Sequence, residues 1–400
     1  MANLKSLTLK KFLPMLSDRQ ARFDEAAAKL PDFSDQASVI AKALHPKRQY
    51  LKIVEVKDMA PDCKSFTLVP NPEKGTNSLA YFGAGKYLTV FETINGMPVT
   101  RAYSISSSPK DSLEGKYVLT IKLVKDGLVS RYIFDNWTVG REVEVSAPSG
   151  NFEYQPLRDA EKVVCVAGGS GITPFLSMAN AIADGDEDFE MILIYGNRDY
   201  DSILFREELE ELEKKCDKIK VVHVLSEKVK RGLKGVEKGF ITAELIKKYA
   251  PEGEPYSIFV CGSQQMYAFV DKEIEKLGLP KKYIRHEMFG EFHNPGFQKD
   301  YPAGVPEKVK ITVTVQDKTY IIFGKSEDSV MQILEKSEIP VPARCRSGEC
   351  GFCHSRLLSG EIYVPEHLEY RRLADYKFGG FHPCCSFPLT DLEIIVPAAK

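Results

Sequence analysis

The chain has 400 residues and nearly balanced charge, with 54 Lys and Arg against 56 Asp and Glu and a net charge of −2. With 43% hydrophobic and 28% charged residues it has the composition of an ordinary globular protein, long enough for roughly two to four domains. These values argue against nucleic acid or an anionic membrane as the main partner, and no apolar run is long enough to span a bilayer. Nine cysteines without a secretory segment indicate a reducing, cytoplasmic setting.

Residues 1–47 are predicted to form a short helical extension. Ala21–Leu30 and Ser34–Leu44 are rich in helix-forming residues, and Pro31 and Pro46 end the two patterns. Two interpretations stay open. The helices either cover the first domain as surface elements or serve as a docking arm for a partner protein.

Residues 48–157 are predicted to form a small β-barrel. Short β-branched and aromatic runs alternate with Gly and Pro, which is typical of many short strands at regular spacing. One helix is expected after Gly127, because Leu128–Asn136 breaks the period-2 pattern. The predicted strands are Tyr50–Val56, Ser65–Val69, Tyr87–Glu92, Tyr117–Val124 and Glu142–Ser146.

Residues 158–289 change to an alternation of strands and helices, which predicts an α/β domain with a parallel sheet. Residues 290–306 contain many Gly and Pro and are predicted to be a linker. The predicted strands are Lys162–Ala167, Glu190–Tyr195, Lys220–Leu225 and Tyr256–Cys261, and the predicted helices are Thr173–Asp184, Phe205–Lys215, Thr242–Tyr249 and Gln265–Leu277.

Residues 307–400 return to a β pattern, because apolar residues alternate with polar ones from Val309 to Val315. A helix that includes Val330–Leu334 is expected, with Ser326 or Asp328 as its N-cap. The other predicted strands of this domain are Lys318–Phe323 and Leu392–Val396.

Four cysteines of this last region carry the strongest chemical signal. Cys345, Cys350 and Cys353, followed by the distant Cys384, have the C-x4-C-x2-C…C spacing of a plant-type 2Fe–2S site. Cys350 and Cys353 alone also fit half a zinc site or a redox dithiol, but neither alternative accounts for the other two. Cys385 competes with Cys384 for the place of the fourth ligand. The pattern predicts a domain that carries single electrons.

The turn Gly168–Pro174 follows a predicted strand and opens a predicted helix. Its glycines let the backbone approach a pyrophosphate, and the helix N-terminus supplies N–H donors and partial positive charge. A lone Gly-rich turn is also an ordinary tight connection, but the surrounding βαβ series favours dinucleotide binding. The predicted contacts are Gly168, Gly169, Gly171, Ile172 and Thr173.

The tetrapeptide from Arg101 to Ser104 fits a flavin-binding segment if a flavin binds to the barrel. Without a flavin, it fits an ordinary exposed strand end. Arg101 would neutralise a phosphate, and Tyr103 would lie along the ring system or the ribityl chain. Ser104 would form a hydrogen bond near flavin N5, the atom that accepts hydride. The turn Gly127–Ser130, which opens a predicted helix, is a weaker signal for binding of the flavin pyrophosphate. The predicted flavin contacts are Arg101, Ala102, Tyr103, Ser104, Gly127, Val129 and Ser130.

Two further strand ends carry candidate residues for the nucleotide. Cys261 and Gly262 end a predicted parallel strand, at the edge where open α/β sheets bind ligands, and Met266 follows them. The cysteine also fits a buried structural role. Asn197 and Arg198 follow another strand, about where an adenosine ribose is expected.

In their order along the chain, Arg101–Ser104, Gly127–Ser130, Gly168–Pro174 and Cys261–Met266 resemble the ferredoxin–NADP reductase superfamily. With the Cys345–Cys384 pattern, the chain is similar to the oxygenase-reductase-like subgroup that has a C-terminal plant-type ferredoxin domain. The resemblance covers roughly residues 48–400. It implies a multidomain protein, with a flavin-binding antiparallel β-barrel over 48–157, an NAD(P)-binding α/β domain over 158–289 and a β-grasp 2Fe–2S ferredoxin domain over 307–400.

The resemblance implies that electrons pass from NAD(P)H through FAD and a 2Fe–2S cluster to a protein acceptor, such as an oxygenase or another reductase component. Ser104 and Cys261 are the implied catalytic residues, and Cys384 is favoured over Cys385 because Pro388 follows it at the ferredoxin spacing. Phe289 matches a motif at the end of the nucleotide domain, where it either stacks on or near the flavin or is an ordinary core residue.

Three choices remain open within this prediction. FAD is favoured over FMN because the turn Gly127–Ser130 resembles that of the FAD-binding members. NADH is favoured because Asp199 or Asp201 disfavours a 2′-phosphate, although Arg198 is able to bind one. The alternatives to a free-standing enzyme are a subunit of a larger redox complex that is not active alone, and a zinc-stabilised binding module.

Overall fold

The computed structural model describes residues 18–19, 21–23, 25, 36–125, 127–227, 236–288 and 292–398. The chain divides into two units, Met1–His45 and Pro46–Lys400. In the first unit, helix α1 (Gln36–Leu44) confirms a helix within the predicted 34–44 segment, and the described residues between 18 and 25 are also helical. The rest of the predicted helix Ala21–Leu30 lies outside the described residues.

The second unit begins with a six-stranded antiparallel sheet in the order β4-β3-β6-β1-β2-β5. A bridge between Ile105, just after β4, and Leu119 on β5 joins the two edges and closes the sheet into a barrel. The predicted strands and the helix after Gly127 are confirmed, but β4 and α2 were missed. The strands are β1 (Gln49–Ala60), β2 (Cys63–Pro70), β3 (Tyr87–Ile94), β4 (Met97–Ser104), β5 (Tyr117–Lys122) and β6 (Glu142–Val145), and the helices are α2 (Pro109–Leu113) and α3 (Leu128–Asn136).

A six-stranded parallel sheet follows, in the order β10-β9-β8-β7-β11-β12. The chain moves outward from β7 in one direction and then returns to β11 on its other side. The predicted α/β alternation is confirmed, and the two short edge strands were missed. The strands are β7 (Lys162–Gly168), β8 (Glu190–Asn197), β9 (Ile219–Leu225), β10 (Val236–Lys238), β11 (Ser257–Cys261) and β12 (Ile284–Glu287), and the helices are α4 (Thr173–Asp184), α5 (Arg206–Lys215), α6 (Ala243–Tyr249) and α7 (Gln264–Glu275).

The last region contains a mixed five-stranded sheet, in the order β14-β13-β19-β15-β17, and a two-stranded sheet of β16 and β18. The predicted N-cap of α8 is wrong: Ser329 caps it, because its hydroxyl accepts from the amide of Gln332, whose side chain accepts from the amide of Ser329. The strands are β13 (Lys308–Val315), β14 (Lys318–Lys325), β15 (Ser355–Ser359), β16 (Ile362–Tyr363), β17 (Gly380–Phe381), β18 (Phe387–Pro388) and β19 (Leu392–Val396), and the helices are α8 (Val330–Lys336) and α9 (Leu373–Phe378).

The described part of the predicted linker packs on this last region. The Phe292 ring lies 5.9 Å from that of Phe387, and the Tyr301 ring lies 5.1 Å from that of Tyr363. The Tyr363 hydroxyl donates to Asp300 over 2.8 Å. Residues 292–301 are therefore held by these side-chain contacts and by one short 3-10 turn, Pro295–Phe297. No helix among the described residues combines the length and apolarity that a bilayer crossing requires.

Candidate functional site

The Gly-rich turn and the Cys261 segment meet at the carboxyl ends of β7 and β11, which are adjacent parallel strands. A Cβ on Gly171 would lie 2.2 Å from the carbonyl oxygen of Cys261. A Cβ on Gly168 would lie 2.2 Å from Sδ of Met266. Only glycine permits the close approach at position 171, because the atoms that it faces belong to the backbone. The structure thus brings the predicted nucleotide residues together where the strand order reverses, the usual ligand site of open α/β sheets.

The turn fits the pyrophosphate of a dinucleotide. Gly169 has φ +53°, and a Cβ there would meet no described atom within 4 Å, so open space lies beside it. A 3-10 turn, Gly169–Ile172, runs directly into helix α4 and begins at Gly168 without a side-chain cap, which leaves the backbone amides at the start of that turn available to an anion. The Tyr195 hydroxyl donates to the carbonyl of Gly169 over 2.9 Å and fixes the turn against β8.

The predicted ribose site lies at the end of β8. Asn197 is buried, and its Nδ2 has no hydrogen-bond partner among the described residues. The Asp199 carboxylate accepts from the amide of Ser202 over 2.9 Å, so it is already used in a local turn. The Arg198 side chain is 68% exposed and lies 3.4 Å from Asp199. The structure therefore places Arg198 within reach of a ligand and commits Asp199 to the backbone.

The predicted flavin residues lie on β4 and at the start of α3. Ser104 is buried and pairs in register with Tyr87 of β3, while burial raises the pKa of the half-buried Tyr103. Gly127 precedes α3, which also begins without a side-chain cap and so offers free amides to a phosphate. Ser130 departs from the predicted role, because its hydroxyl accepts from the amide of Val124 over 3.1 Å and stabilises the turn.

The predicted iron ligands form one contiguous group. Sγ of Cys353 lies 3.4 Å from Sγ of Cys384, and the side chain of Cys345 bonds to those of Cys350 and Cys384. The amides of Ser347 and Cys350 donate to Sγ of Cys345 over 3.4 and 3.3 Å. Hydrogen bonds with the side chains of Cys350 and Cys384 lower the pKa of Cys345 most, and those from the two amides lower it further. Together they hold this pKa well below its usual range. A thiolate is the form that binds iron.

This group suits two iron ions better than one metal ion. Among the described residues, no three or more His, Cys, Asp or Glu side chains converge on a point that could hold a single metal ion. The four sulfur atoms instead form a chain in the order Cys350, Cys345, Cys384, Cys353, whose first half is the pair Cys345 and Cys350 and whose second half is the pair Cys353 and Cys384. A 2Fe–2S cluster takes its four thiolates as two on each iron, whereas a structural zinc site needs four ligands around one ion. The geometry fits the 2Fe–2S prediction.

The cysteine loop contacts the barrel at the predicted flavin strand. Cys345 and the partly buried Cys350 pack in one cluster with Tyr87 of β3 and Ala102 of β4. The predicted metal and flavin residues are therefore neighbours, although more than two hundred residues separate them in the chain. Phe289, the last predicted flavin contact, lies outside the described residues.

Glu287 is a site residue to which the prediction assigned no role. It ends β12 beside Cys261 and is only 5% exposed. Burial, followed by the charges of Glu349 and Cys345, raises its pKa well above the usual value for Glu. The carboxyl group of Glu287 thus lies between the nucleotide edge and the cysteine loop. The signal available in the sequence was its place in the same motif as Phe289, at the end of the nucleotide domain.

Arg346 is a second residue that the prediction missed, and it joins the cysteine loop to the flavin strand. It follows Cys345, has φ +60° and is 2% exposed. Its Nε donates to the carbonyl of Thr100 over 2.7 Å, and its guanidinium also pairs with Glu335 of α8. Nη2 of Arg101 lies 3.8 Å from the same carboxylate. Glu335 is therefore shared by the cysteine loop and the predicted flavin arginine.

We expect Glu335→Gln to loosen this contact between domains. Removing one partner of a buried pair leaves the other charge uncompensated, which typically costs ~3–5 kcal/mol. Reduction of the flavin by NADH should be unaffected, while reduction of the cluster should slow by about tenfold or more, equivalent to ~1.4 kcal/mol of docking free energy. Stopped-flow spectra at the two absorption bands measure both steps.

Glu327→Gln is the matched control, because Glu327 belongs to an exposed pair with Lys325 in the same domain. It should leave both steps unchanged. Equal slowing in the two variants, or a slower flavin step in Glu335→Gln, would contradict the assignment of Glu335 to the contact between domains.

Three family models match the chain in succession. An oxidoreductase FAD-binding domain covers residues 50–154, an oxidoreductase NAD-binding domain covers 165–272, and a 2Fe-2S iron-sulfur cluster binding domain covers 313–389. The matches follow the barrel, the parallel sheet and the cysteine-bearing region in that order. The predicted set of FAD, NAD(P)H and a 2Fe–2S cluster is confirmed at the level of these domains.

Curated relatives of similar length are reductase components. The chain is 29% identical to the glycine betaine monooxygenase reductase subunit of Pseudomonas aeruginosa, over 79% of this chain and 87% of that protein. It is 28% identical to the ferredoxin reductase component of the 3-ketosteroid-9-alpha-monooxygenase of Mycolicibacterium smegmatis, over 85% of this chain and 94% of that protein. The solved structure of phthalate dioxygenase reductase superimposes with a TM-score of 0.59 at 26% identity, over 88% of this chain and 98% of that one.

Proposed function

We propose that this chain passes electrons from NADH to a separate redox protein. The reason is that it belongs to the ferredoxin–NADP reductase superfamily and to the subgroup of that superfamily with a C-terminal 2Fe–2S domain. The contact of Cys345 with Tyr87 and Ala102 carries this proposal, since it joins the iron ligands to the flavin strand. The relatives are named as reductase parts of monooxygenases, so an oxygenase component is the acceptor class that we propose.

FAD accepts a hydride and releases electrons singly, and a 2Fe–2S cluster accepts one at a time. For the chain's own residues, we propose that Ser104 donates a hydrogen bond near flavin N5 and that Arg101 neutralises a flavin phosphate. We propose that Cys261, which ends β11 in a buried position where burial raises the pKa of its thiol, lies against the nicotinamide site at the carboxyl edge of the sheet. The four cysteines hold the iron.

NADH remains the proposed co-substrate. The exposed Arg198 favours a 2′-phosphate, whereas Asp199 and Asp201 place negative charge at the same strand end. We propose that the two carboxylates outweigh the Arg198 charge, so that the site disfavours the 2′-phosphate of NADPH. The ratio of kcat/KM for NADH and NADPH tests this choice, and a ratio in favour of NADPH reverses it.

We also propose a reducing, cytoplasmic setting and a chain that is active alone. All nine cysteines are free, which supports the first point. Activity of the chain alone is supported because one unit contains the nucleotide edge, the flavin strand and the cysteine loop. A chain that acts only as a subunit of a larger complex would fail to reduce a dye with NADH when purified by itself.

We expect the purified protein to be coloured and to contain about one flavin and about two iron atoms per chain. Cys345→Ser should keep flavin reduction by NADH and turnover of dyes that accept hydride, because the nucleotide edge is intact. It should lose transfer to acceptors that depend on the cluster. Stoichiometric zinc in place of iron, or a cluster that is reduced before the flavin in the unmodified protein, would overturn the proposed function.

A further inference from the structure

An exposed apolar patch lies beside the cysteine loop and is used by none of the contacts described above. Helix α9 has no buried residue. Leu373 is 89% exposed and Phe378 is 64% exposed, far more than apolar side chains that belong to a core. Contiguous exposed apolar surface of this kind is typical of interaction sites. The α9 patch consists of Tyr370, Leu373, Tyr376 and Phe378, all exposed.

The α9 patch rests on residues that adjoin the second cysteine pair. His354, which follows Cys353, bonds to Asp375 of α9 over 3.0 Å. His354 also lies 5.8 Å, ring to ring, from His382, which precedes Cys384 by two residues. A depression of about 430 Å³ opens between His354 and α9. A partner on this surface would therefore reach the cluster from the side of Cys353 and Cys384.

The first cysteine pair faces elsewhere. Cys345 and Cys350 pack against Tyr87 and Ala102 of the barrel, where electrons enter under the proposed function. The barrel packs against that side and leaves a cleft of about 90 Å³ beside Cys350, which is too small for an external protein to enter, so such a protein needs another approach. The α9 patch gives an external protein such an approach, and the hydrogen bond between Arg346 and Thr100 stays intact.

The charges around the patch indicate the chemistry of the partner. The two carboxylates on it are satisfied locally: Asp375 accepts from the amide of Arg372 over 2.8 Å, and Glu369 accepts from Arg371 over 2.9 Å. Three exposed cations, in contrast, form no ion pair with any residue that the structure describes. They are Arg356, Arg372 and Lys377. With Arg371 there are four cations against three carboxylates, Asp375, Glu369 and the nearby Glu349, so the net charge around the patch is weakly positive and favours a partner that carries carboxylates.

We propose that the α9 patch is the docking surface for an acidic one-electron redox protein, with apolar contact at its centre and ion pairs to Arg356, Arg372 and Lys377 around it. This inference rests on the proposed function, because the electrons passed to the partner come from NADH through the flavin and the cluster. One hydride from NADH supplies two electrons, so two acceptor molecules are reduced and one proton is released per NADH oxidised.

The test uses two probes of opposite charge, the acidic cytochrome b5 and the basic cytochrome c, both one-electron acceptors. Binding to the full chain is measured by calorimetry with both proteins oxidised, so the result does not depend on NADH oxidation. We expect cytochrome b5 to bind more tightly than cytochrome c and to weaken as salt is added. The triple variant R356E/R372E/K377E should bind cytochrome b5 about tenfold or more weakly.

The matched control is K214E/K247E/K281E, which reverses three exposed lysines of the nucleotide domain and should change affinity less than about twofold. Leu373→Ser should also weaken binding, whereas Leu157→Ser, at another fully exposed leucine, should not. Iron content and flavin reduction by NADH, measured in each variant, show separately whether the proposed function holds.

Three results would overturn the inference. The first is unchanged cytochrome b5 affinity in R356E/R372E/K377E, and the second is an equal loss in the control. The third is self-association of the unmodified chain that R356E/R372E/K377E abolishes, because a second copy would then be the occupant of the α9 patch.

Discussion

Cys384→Ser is expected to remove the cluster, and Cys385→Ser to leave it in place. Sγ of Cys384 lies 3.4 Å from that of Cys353 and bonds to the side chain of Cys345, within the group of four. The thiol of Cys385 also bonds to the side chain of Cys384, but it donates to the backbone carbonyls of Leu368 and His382, 3.8 and 3.6 Å away, which only a protonated thiol can do. Without a fourth thiolate, two iron ions cannot both keep full ligation.

Iron and sulfide content per chain and the visible spectrum distinguish the two variants. In Cys384→Ser, iron should fall from about two atoms per chain to nearly none. Cys385→Ser is the internal control, because it changes the adjacent thiol and keeps all four proposed ligands. If cluster loss followed Cys385→Ser instead, the fourth ligand would have to be moved by one residue.

Most of the α/β domain was predictable because its local signals agree with its fold. α4 follows the prediction residue for residue, since the Gly-rich turn, Pro174 near its start and Gly185 after its end fix both boundaries. Strand β4 was missed because Met97–Ser104 contains a proline and an arginine and lacks a clean period-2 pattern. Strand β12 reads as polar for a similar reason, as Ile284–Glu287 contains Arg285 and His286.

The parts of the site that could not be predicted depend on contacts between domains. The spacing of the cysteines and the Gly-rich turn are local patterns, so sequence identified them. Arg346 and Thr100 are 246 residues apart, and their hydrogen bond depends on how the barrel and the last domain pack. Glu335 reads as an ordinary surface residue of a short helix until that packing is known. Local propensity holds no information about such pairings.

Gly171→Ala is expected to slow flavin reduction by NADH by about a hundredfold, because a displacement of ~1 Å at a reacting centre costs this much. The added Cβ would lie 2.2 Å from the carbonyl oxygen of Cys261 and 2.8 Å from Cα of Gly262. Both are backbone atoms, so no flexible side chain can yield, and the end of β11 must move away from the turn. The proposed nicotinamide position moves with it.

Two comparisons isolate this effect. Gly296→Ala is the control, because a Cβ there meets nothing closer than 4.0 Å, and it should reduce flavin at the normal rate. Gly169→Glu should also block reduction by NADH, but by a different cause: its Cβ has room, while φ +53° strains the backbone and the carboxylate repels the pyrophosphate. Chemical reduction by dithionite should remain normal in all three variants, which shows that flavin and cluster are still bound. If Gly171→Ala were reduced by NADH as fast as Gly296→Ala, the close approach of the turn to Cys261 would not be the feature that positions the nucleotide.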